Sequence, residues 1–278
     1  MPGTLYIVAT PIGNLEDISL RALRVLKEVA LIAAEDTRHS RKLLNHYAIA
    51  TPLVACHEHN EEARAAQLLV RLQDGADVAL ISDAGTPAIS DPGYVLVRRC
   101  RAAGIRVEAI PGPSAVTAAL SAAGLPCARF AFEGFLPAKK KAREDLLSAL
   151  RDEPRTLVFY EAPHRLAQTL EAVARIYGNE RPVAVARELT KKHEELFSGS
   201  AGDARRHFSG EVRGEIVLLI APAEKAAAEP ADVTAALRRL AAQEDLPPAE
   251  LVRRVAKTTG VARNAVYQEY LRLKGEKA

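Results

Sequence analysis

From Leu5 to about Ile110 the chain alternates short β-rich runs with longer amphipathic stretches, and this rhythm restricts its fold more than any other feature. Residues 5–9, 31–34, 53–55, 78–82 and 106–109 read as strands, and residues 19–29, 38–45, 61–73 and 94–103 as helices. Strand and helix in alternation predict a parallel sheet with helices on both faces.

Pro111-Gly112-Pro113 breaks that rhythm. Beyond it, strands at 129–133, 156–161, 182–187, 193–197 and 215–220 are separated by helices of unequal length at 140–150, 163–177 and 201–208. The strands ending at Arg187 and starting at His193 have too little chain between them for a crossover helix, so they should pair antiparallel in a mixed sheet. Residues 222–231 carry no large apolar side chain and read as a linker. Helices follow, the last two at 248–257 and 263–274 with the Thr259-Gly260-Val261 turn of a helix-turn-helix between them. The expected fold is therefore α/β and two-lobed, with a mainly parallel lobe (1–113), a mixed-sheet lobe (114–222) and a small basic helical tail (232–278).

A chain of 278 residues can hold two lobes with a buried cleft between them. No apolar run approaches the roughly 18 to 20 residues of a membrane span, and the N-terminus is strand-like rather than a secretory signal, so the expected location is the cytoplasm. Cys56, Cys100 and Cys127 lie far apart and suggest neither a zinc site nor a disulfide framework. The net charge is +3, and residues 231–278 hold nine Lys plus Arg against six Asp plus Glu, so the tail carries the whole excess. A basic tail on a neutral body fits either a polyanionic partner or a solvated helical surface.

In open α/β sheets a ligand lies beyond the carboxyl ends of the strands. Four loops there are small, polar and rich in Gly and Pro: Thr10-Pro11-Ile12-Gly13-Asn14-Leu15, Glu35-Asp36-Thr37-Arg38, residues 83–93, and Pro111-Gly112-Pro113-Ser114-Ala115. Such residues let the backbone approach a ligand closely. No G-x-G-x-x-G and no G-x-x-x-x-G-K-[ST] follows a strand, so neither a dinucleotide nor a P-loop site is supported. Glu35-Asp36-Thr37-Arg38 fits a polar substrate site or a helix cap with a surface ion pair. His57-Glu58-His59-Asn60-Glu61 lacks helical i,i+4 geometry and a third ligand, and no metal is expected. Lys139, Lys140 and Lys141, extended by Arg143, place cations where a helix dipole disfavours them, which points to phosphate contact or to plain solvent exposure. Glu161-Ala162-Pro163-His164-Arg165 and Arg187-Glu188-Leu189-Thr190-Lys191 also follow strands and put charge where the second lobe would meet the cleft, although each alone fits a helix cap or a salt bridge.

Taken together, these segments, with Val8-Ala9 before the first, Ala34 before the second, Ser82 and Tyr94 flanking the third, Phe159-Tyr160 before Glu161 and Glu133-Gly134-Phe135-Leu136-Pro137-Ala138-Lys139 ahead of the lysines, resemble the ribosomal RNA small subunit methyltransferase I family of the tetrapyrrole methylase superfamily. The likeness covers residues 4–221 in order, and the tail resembles the small helical domain of that family. Ala162 stands where the family commonly has Ser. The resemblance implies transfer of a methyl group from S-adenosyl-L-methionine to the ribose 2′-oxygen of a cytidine in the decoding region of small-subunit ribosomal RNA. It also implies a homodimer, a cofactor folded between the lobes, and no membrane. Carried over by motif, the cofactor contacts are Pro11, Gly13, Asp83, Gly85, Thr86, Pro87, Ile89, Ser114, Ala115 and Tyr160. The RNA contacts are Lys139, Lys140, Lys141, Arg143 and Arg165.

Methyl transfer from a sulfonium needs the oxygen, carbon and sulfur held in line, and a ribose hydroxyl gains from a base or a nearby cation. Glu35 or Asp36 as acceptor and Arg38 or Arg187 as electrostatic partner are the expected catalytic groups. A tetrapyrrole-type enzyme acting on a small molecule would share the body without needing the basic tail. A non-catalytic RNA-binding protein on the same scaffold would keep the basic groups without needing residues 83–93.

Overall fold

The computed structural model describes residues 1–223, 230–243 and 246–275, which form two compact units, Met1–Pro222 and Ala223–Ala278. In the first unit the chain runs β1 (Thr4–Val8), α1 (Leu20–Glu28), β2 (Leu31–Ala34), α2 (Thr37–His46), β3 (Leu53–Ala55), α3 (Glu61–Gln73), β4 (Val78–Ile81), α4 (Tyr94–Ala102) and β5 (Arg106–Ile110). The sheet order is β3-β2-β4-β1-β5 and every pair is parallel, as expected from the alternation. β2 and β4 are buried throughout, because helices cover both faces. Ala79 and Ile81 join Val25, Leu26, Leu43 and Leu44 on one face, whereas Val78 and Leu80 join Leu68, Leu72 and Leu96 on the other. The two-residue period of a strand thus feeds two cores.

The crossover after β1 passes β4 to reach β2, and the crossover after β4 passes β1 to reach β5. Adjacent strands whose connections leave in opposite directions open a crevice at their carboxyl ends. Beyond the strands the two loops stay joined: Thr10 N–H donates to Gly85 O at 2.8 Å and Gly85 N–H to Thr10 O at 3.0 Å.

The second half of this unit adds α5 (Ala115–Ala122), β6 (Phe130–Phe135), α6 (Lys140–Ala149), β7 (Thr156–Glu161), α7 (Leu166–Tyr177), β8 (Pro182–Arg187), β9 (Glu195–Ser200), α8 (Ala201–His207) and β10 (Ile216–Ile220). The sheet order is β6-β7-β10-β8-β9, with β6 and β7 parallel and the other pairs antiparallel. The antiparallel β8–β9 hairpin agrees with the short spacing in the sequence. Leu147, Phe159, Leu170, Val173, Val185 and Leu218 belong to the core on the α6, α7 and α8 side.

Three local features differ from the sequence pattern. Helix α5 has no counterpart among the expected elements: it follows the Gly/Pro break directly, and its alanines give little periodic contrast, yet Val116, Ala119 and Leu120 bury against Val158, Ala184 and Val217. The helix expected from residue 163 opens as a 3₁₀ turn, Pro163–Arg165. β9 begins two residues late, after a turn that holds Glu188 and Thr190 at positive φ.

Arg143 departs from its expected place in a basic patch. Its residue is 2% exposed, and its guanidinium donates to the carbonyls of Pro137 (3.5 Å) and Ala138 (3.3 Å) and to Gln168 Oε1 (3.4 Å). Among the described residues it is the largest fully buried side chain, filling the space beneath the α6 entry, and so is not presented to a phosphate. Lys139, Lys140 and Lys141 remain exposed.

The second unit holds α9 (Pro230–Gln243), α10 (Pro248–Thr259) and α11 (Arg263–Gly275) around Val233, Leu237, Leu251, Val252, Val255 and Val266. Gly260, left-handed at φ 72°, ends α10 with its N–H on Ala256 O, which produces the expected helix-turn-helix joint. The linker expectation for 222–231 lies mostly outside the described residues. Among the described residues no helix is long and apolar enough to cross a membrane.

Helix α4 has Gly93 at its N-cap and therefore no side-chain cap of its own. Glu61, at the start of α3, supplies one: its Oε1 accepts from Gly93 N at 2.7 Å and Val95 N at 3.0 Å. Glu61→Ala should cost about 1 to 3 kcal/mol in urea unfolding, with a smaller loss for Glu61→Gln, which keeps an acceptor. By the same measurement Arg143→Ala should cost about 2 to 4 kcal/mol, because it leaves a cavity and strands buried carbonyls. Alanine at Lys139 or Lys141 should stay within about 0.5 kcal/mol of the parent.

Candidate functional site

The crevice at the β1–β4 switch opens into a cavity of about 360 Å³. Ile12 from the loop after β1, Ala84 to Thr86 and Ile89 to Asp91 from the loop after β4, and Ser114 and Ala115 after β5 form one side. Phe135, Tyr160 to Pro163, Ala186, Leu189 and Gly214 to Val217 form the other. The site is therefore shared by both lobes of the first unit.

Local backbone chemistry shapes the first wall. Thr10 Oγ1 donates to Ser82 O at 3.1 Å, and Thr86 Oγ1 donates to Pro113 O at 3.4 Å, so the loops after β1, β4 and β5 are tied to one another. Gly85 takes φ 79°, where a side chain would be strained. Ala88 and Ser90 adopt positive φ without being glycine, a cost that proteins concentrate at functional sites. On the opposite wall a register shift between Phe132 and Phe135 carries Phe135 over the Tyr160 ring, at 5.3 Å between centroids, and leaves it exposed at the cavity edge.

Six of the ten residues expected to hold a cofactor line this cavity: Gly85, Thr86, Ile89, Ser114, Ala115 and Tyr160. Pro11, Gly13, Asp83 and Pro87 stand outside its wall. Gly13 has another reason to be glycine, since a Cβ there would overlap the Lys191 side chain reaching across from the second lobe. Asp83 Oδ1 accepts from Asp36 N at 3.1 Å, and Asp83 N donates to Glu35 Oε2 at 3.4 Å, which joins the ends of β2 and β4.

None of the four expected catalytic groups lines the cavity. Asp36 caps α2 through Arg38 N at 2.7 Å and pairs with the Arg38 guanidinium at 3.3 Å; these contacts hold its carboxyl below the ordinary aspartate value. Arg38 points into solvent. Glu35 is raised by burial, only partly offset by the Asp83 N–H. Arg187 pairs with Glu195 at 2.9 Å and donates to Arg213 O at 3.2 Å. Arg165, expected at RNA, forms a 2.8 Å ion pair with the fully buried Glu161 carboxylate. Glu161 also accepts from Thr169 Oγ1 at 2.6 Å and from Ala162 N at 2.7 Å. Burial and this pairing make Arg165 part of the cavity's support.

Asp91 lies within the loop 83–93 but is not among the site residues the sequence points to. It sits in the same half-buried loop as Asp83, but Asp83 is tied to Asp36 N and Glu35, whereas Asp91 lines the cavity; burial first, then the charge of Glu35, pushes the Asp91 carboxyl up to about 6. Ile12, Ala186, Leu189 and Val217, which give the cavity its apolar surface, are likewise invisible there because ordinary core residues look the same in sequence. A cavity of this size lies within the roughly 300 to 1,000 Å³ of small-molecule sites. Its apolar surface, the backbone presented by the Gly85 turn and the Ser114 hydroxyl suit a ligand with a flat heteroaromatic part and hydroxyls. The residues present thus fit S-adenosylmethionine.

Known proteins bear on this arrangement in three ways. Residues 4–205 match the family model of tetrapyrrole (corrin/porphyrin) methylases, and residues 227–274 match that of the RsmI C-terminal HTH domain. The ribosomal RNA small subunit methyltransferase I of Pseudomonas aeruginosa is 52% identical over 278 residues, covering 99% of each chain. Its namesake in Escherichia coli O157:H7 is 51% identical, covering 98% of this chain and 96% of its own. Among solved structures, uroporphyrin-III-C-methyltransferase from Thermus thermophilus superposes with a TM-score of 0.57 at 26% identity, covering 79% of this chain and 94% of that one. Diphthine synthase, at 14% identity, shares the fold with a TM-score of 0.62 over 79% of this chain and 90% of its own. With a parallel sheet, a mixed sheet and a cleft between them, followed by a helix-turn-helix, the chain belongs to the tetrapyrrole methylases and, among them, to the ribosomal RNA small subunit methyltransferase I family.

Proposed function

We propose that the chain methylates the ribose 2′-oxygen of a cytidine in the decoding region of small-subunit ribosomal RNA, with S-adenosylmethionine as methyl donor, acting as a homodimer in the cytoplasm. The observation that carries this reading is the cavity itself, walled on one side by residues 84–91, Ser114 and Ala115 and open beside an exposed aromatic, Phe135, in a chain of this family.

When bound, S-adenosylmethionine supplies an electrophilic methyl carbon on a sulfonium. The backbone of residues 84–86 and the Ser114 side chain bind and orient it, and Ile12, Ile89, Leu189 and Val217 exclude water from its apolar face. Pro11, Gly13, Asp83 and Pro87 shape the loops behind that wall. Phe135 offers a stacking surface for an unpaired base, which fits a substrate taken from an RNA loop. Lys139, Lys140 and Lys141, exposed at the start of α6, contact phosphates, which position RNA without reading its sequence. Glu35 and Asp36 at the end of β2, and Arg187 at the end of β8, act as positioning residues for the strand ends, and Arg38 serves Asp36.

Small ribosomal subunits from a strain lacking the enzyme, incubated with the protein and tritiated S-adenosylmethionine, should take up label that nuclease digestion maps to one ribose in the decoding region. Label on neither particles nor free RNA, despite cofactor binding, would remove the RNA reading and favour a small-molecule acceptor. Alanine at Lys139, Lys140 and Lys141 should weaken RNA binding and lower the slope of log affinity against log salt by roughly 0.7 to 0.9 for each phosphate no longer neutralised, with cofactor affinity unchanged.

A further inference from the structure

Three carboxylates line the cavity: Asp91, Glu161 and Glu215. Two are already committed. Glu161 is fully buried and satisfied by Arg165, Thr169 and its neighbour's N–H. Glu215 is largely exposed and paired with Lys191 at 2.9 Å. Asp91 has no ion-pair partner among the described residues, and it lines the same cavity as Tyr160, in the segment that also holds Ala88 and Ser90 at positive φ. Resting on the function proposed above, we propose that Asp91 is the catalytic base, the carboxylate that accepts the proton of the ribose hydroxyl during methyl transfer.

The atoms balance without a further reactant. As the ribose oxygen bonds to the methyl carbon, its proton passes to a carboxylate oxygen of Asp91, and the electron pair of the broken carbon–sulfur bond stays on sulfur. The proton then leaves to solvent through the open side of the cavity. Tyr160 cannot serve as this acceptor, because burial, with the charge of Asp91 added, pushes its phenol up and keeps it protonated. Asp36 is held below the ordinary value by Arg38, which makes it a weaker base, and it does not line the cavity.

The groups facing Asp91 are Glu35 from the end of β2, Ser82 and Asp83 from the end of β4 and Tyr160 from β7. Two of them are carboxylates, and both push the same way as burial. A carboxyl brought to about 6 is a stronger base than an exposed aspartate and is still mostly ionised at neutral pH. The unprotonated form is the active one, so turnover should be lost as pH falls through that value and be flat above it.

The test compares the full-length parent with Asp91→Asn in single turnover on small ribosomal subunits at saturating cofactor, between about pH 5 and 8. The parent rate should fall about tenfold per pH unit below its inflection, and Asp91→Asn should be slower by about 10² to 10⁴ with the inflection gone. Calorimetric affinity for S-adenosylhomocysteine and binding to the subunits should be unchanged. A second readout needs no catalysis. Because folding raises the Asp91 value above that of the unfolded chain, its charge costs stability that grows as pH rises from the unfolded value to the folded one. Ligand-free Asp91→Asn should therefore melt above the parent at pH 8, with the gap closing near pH 4. The proposal is overturned if Asp91→Asn keeps the parental rate and inflection, if the gap in melting is the same at every pH, or if the variant loses S-adenosylhomocysteine affinity while its saturated rate stands. A parent that labels no ribosomal RNA would overturn the function first, and this assignment with it.

Discussion

The pairing of β1 with β4, carried past the strand ends by the Thr10–Gly85 bridge, is the constraint on which the site depends. Parallel strands must leave the sheet in the same direction, yet the chain after β1 and the chain after β4 turn to opposite sides. The two reciprocal hydrogen bonds between Thr10 and Gly85 hold the loops together as they diverge, and the Thr86 hydroxyl on Pro113 O fastens the loop after β5 to the same frame. Small residues are required throughout, because any bulk here would fill the space a ligand must occupy. Strain at Ala88 and Ser90 is tolerated because both ends of the loop are anchored, at Gly85 by Thr10 and at Gly93 by the Glu61 carboxylate.

Charge is distributed around this cleft in two distinct ways. On the second lobe, carboxylates that enter the interior are paired: Glu161 with Arg165, Glu195 with Arg187, Glu188 with Lys191. Burial of a charge is costly unless a partner and hydrogen bonds satisfy it, and these pairs are satisfied. At the ends of β2 and β4 the arrangement is the reverse. Glu35, Asp83 and Asp91 crowd together, and the proton affinities of Glu35 and Asp91 rise, so this edge of the cavity holds negative charge at some expense. Structures keep such an expense where chemistry or a cationic ligand repays it.

Arg143 and the three lysines before it illustrate how one basic run divides. A helix entering at Lys140 turns successive residues by about 100°, so Lys139, Lys140 and Lys141 face outward, whereas Arg143 turns inward between α6 and α7. Its guanidinium then finishes the hydrogen bonding of Pro137 and Ala138, the residues that lead into the helix. The outward lysines and the buried arginine share a sequence neighbourhood and nothing else. The second unit is a compact three-helix body around its own core, with α10 and α11 meeting at the left-handed Gly260.

Much of this architecture is legible in the residues alone, because strand and helix periodicities depend on side chains close together in the chain. The parallel sheet, the β8–β9 hairpin, the helix-turn-helix and the small polar loops at the strand ends can all be read that way. So can six cavity-lining residues, which lie in motifs that resemble one family throughout. What the sequence could not express was which members of a motif face the cavity and which support it. Asp36 and Asp91 are both aspartates in Gly- and Pro-flanked or polar loops, but one is satisfied locally by Arg38 and the other is buried beside Glu35, a residue far away in the chain. Arg143 and Arg165 read as RNA contacts and Arg187 as a catalytic cation, whereas packing gives them carbonyls and carboxylates. Local order is encoded in neighbouring residues, and the sequence determined it; burial and proton affinity arise from contacts across long stretches of chain, and only the tertiary structure decided them.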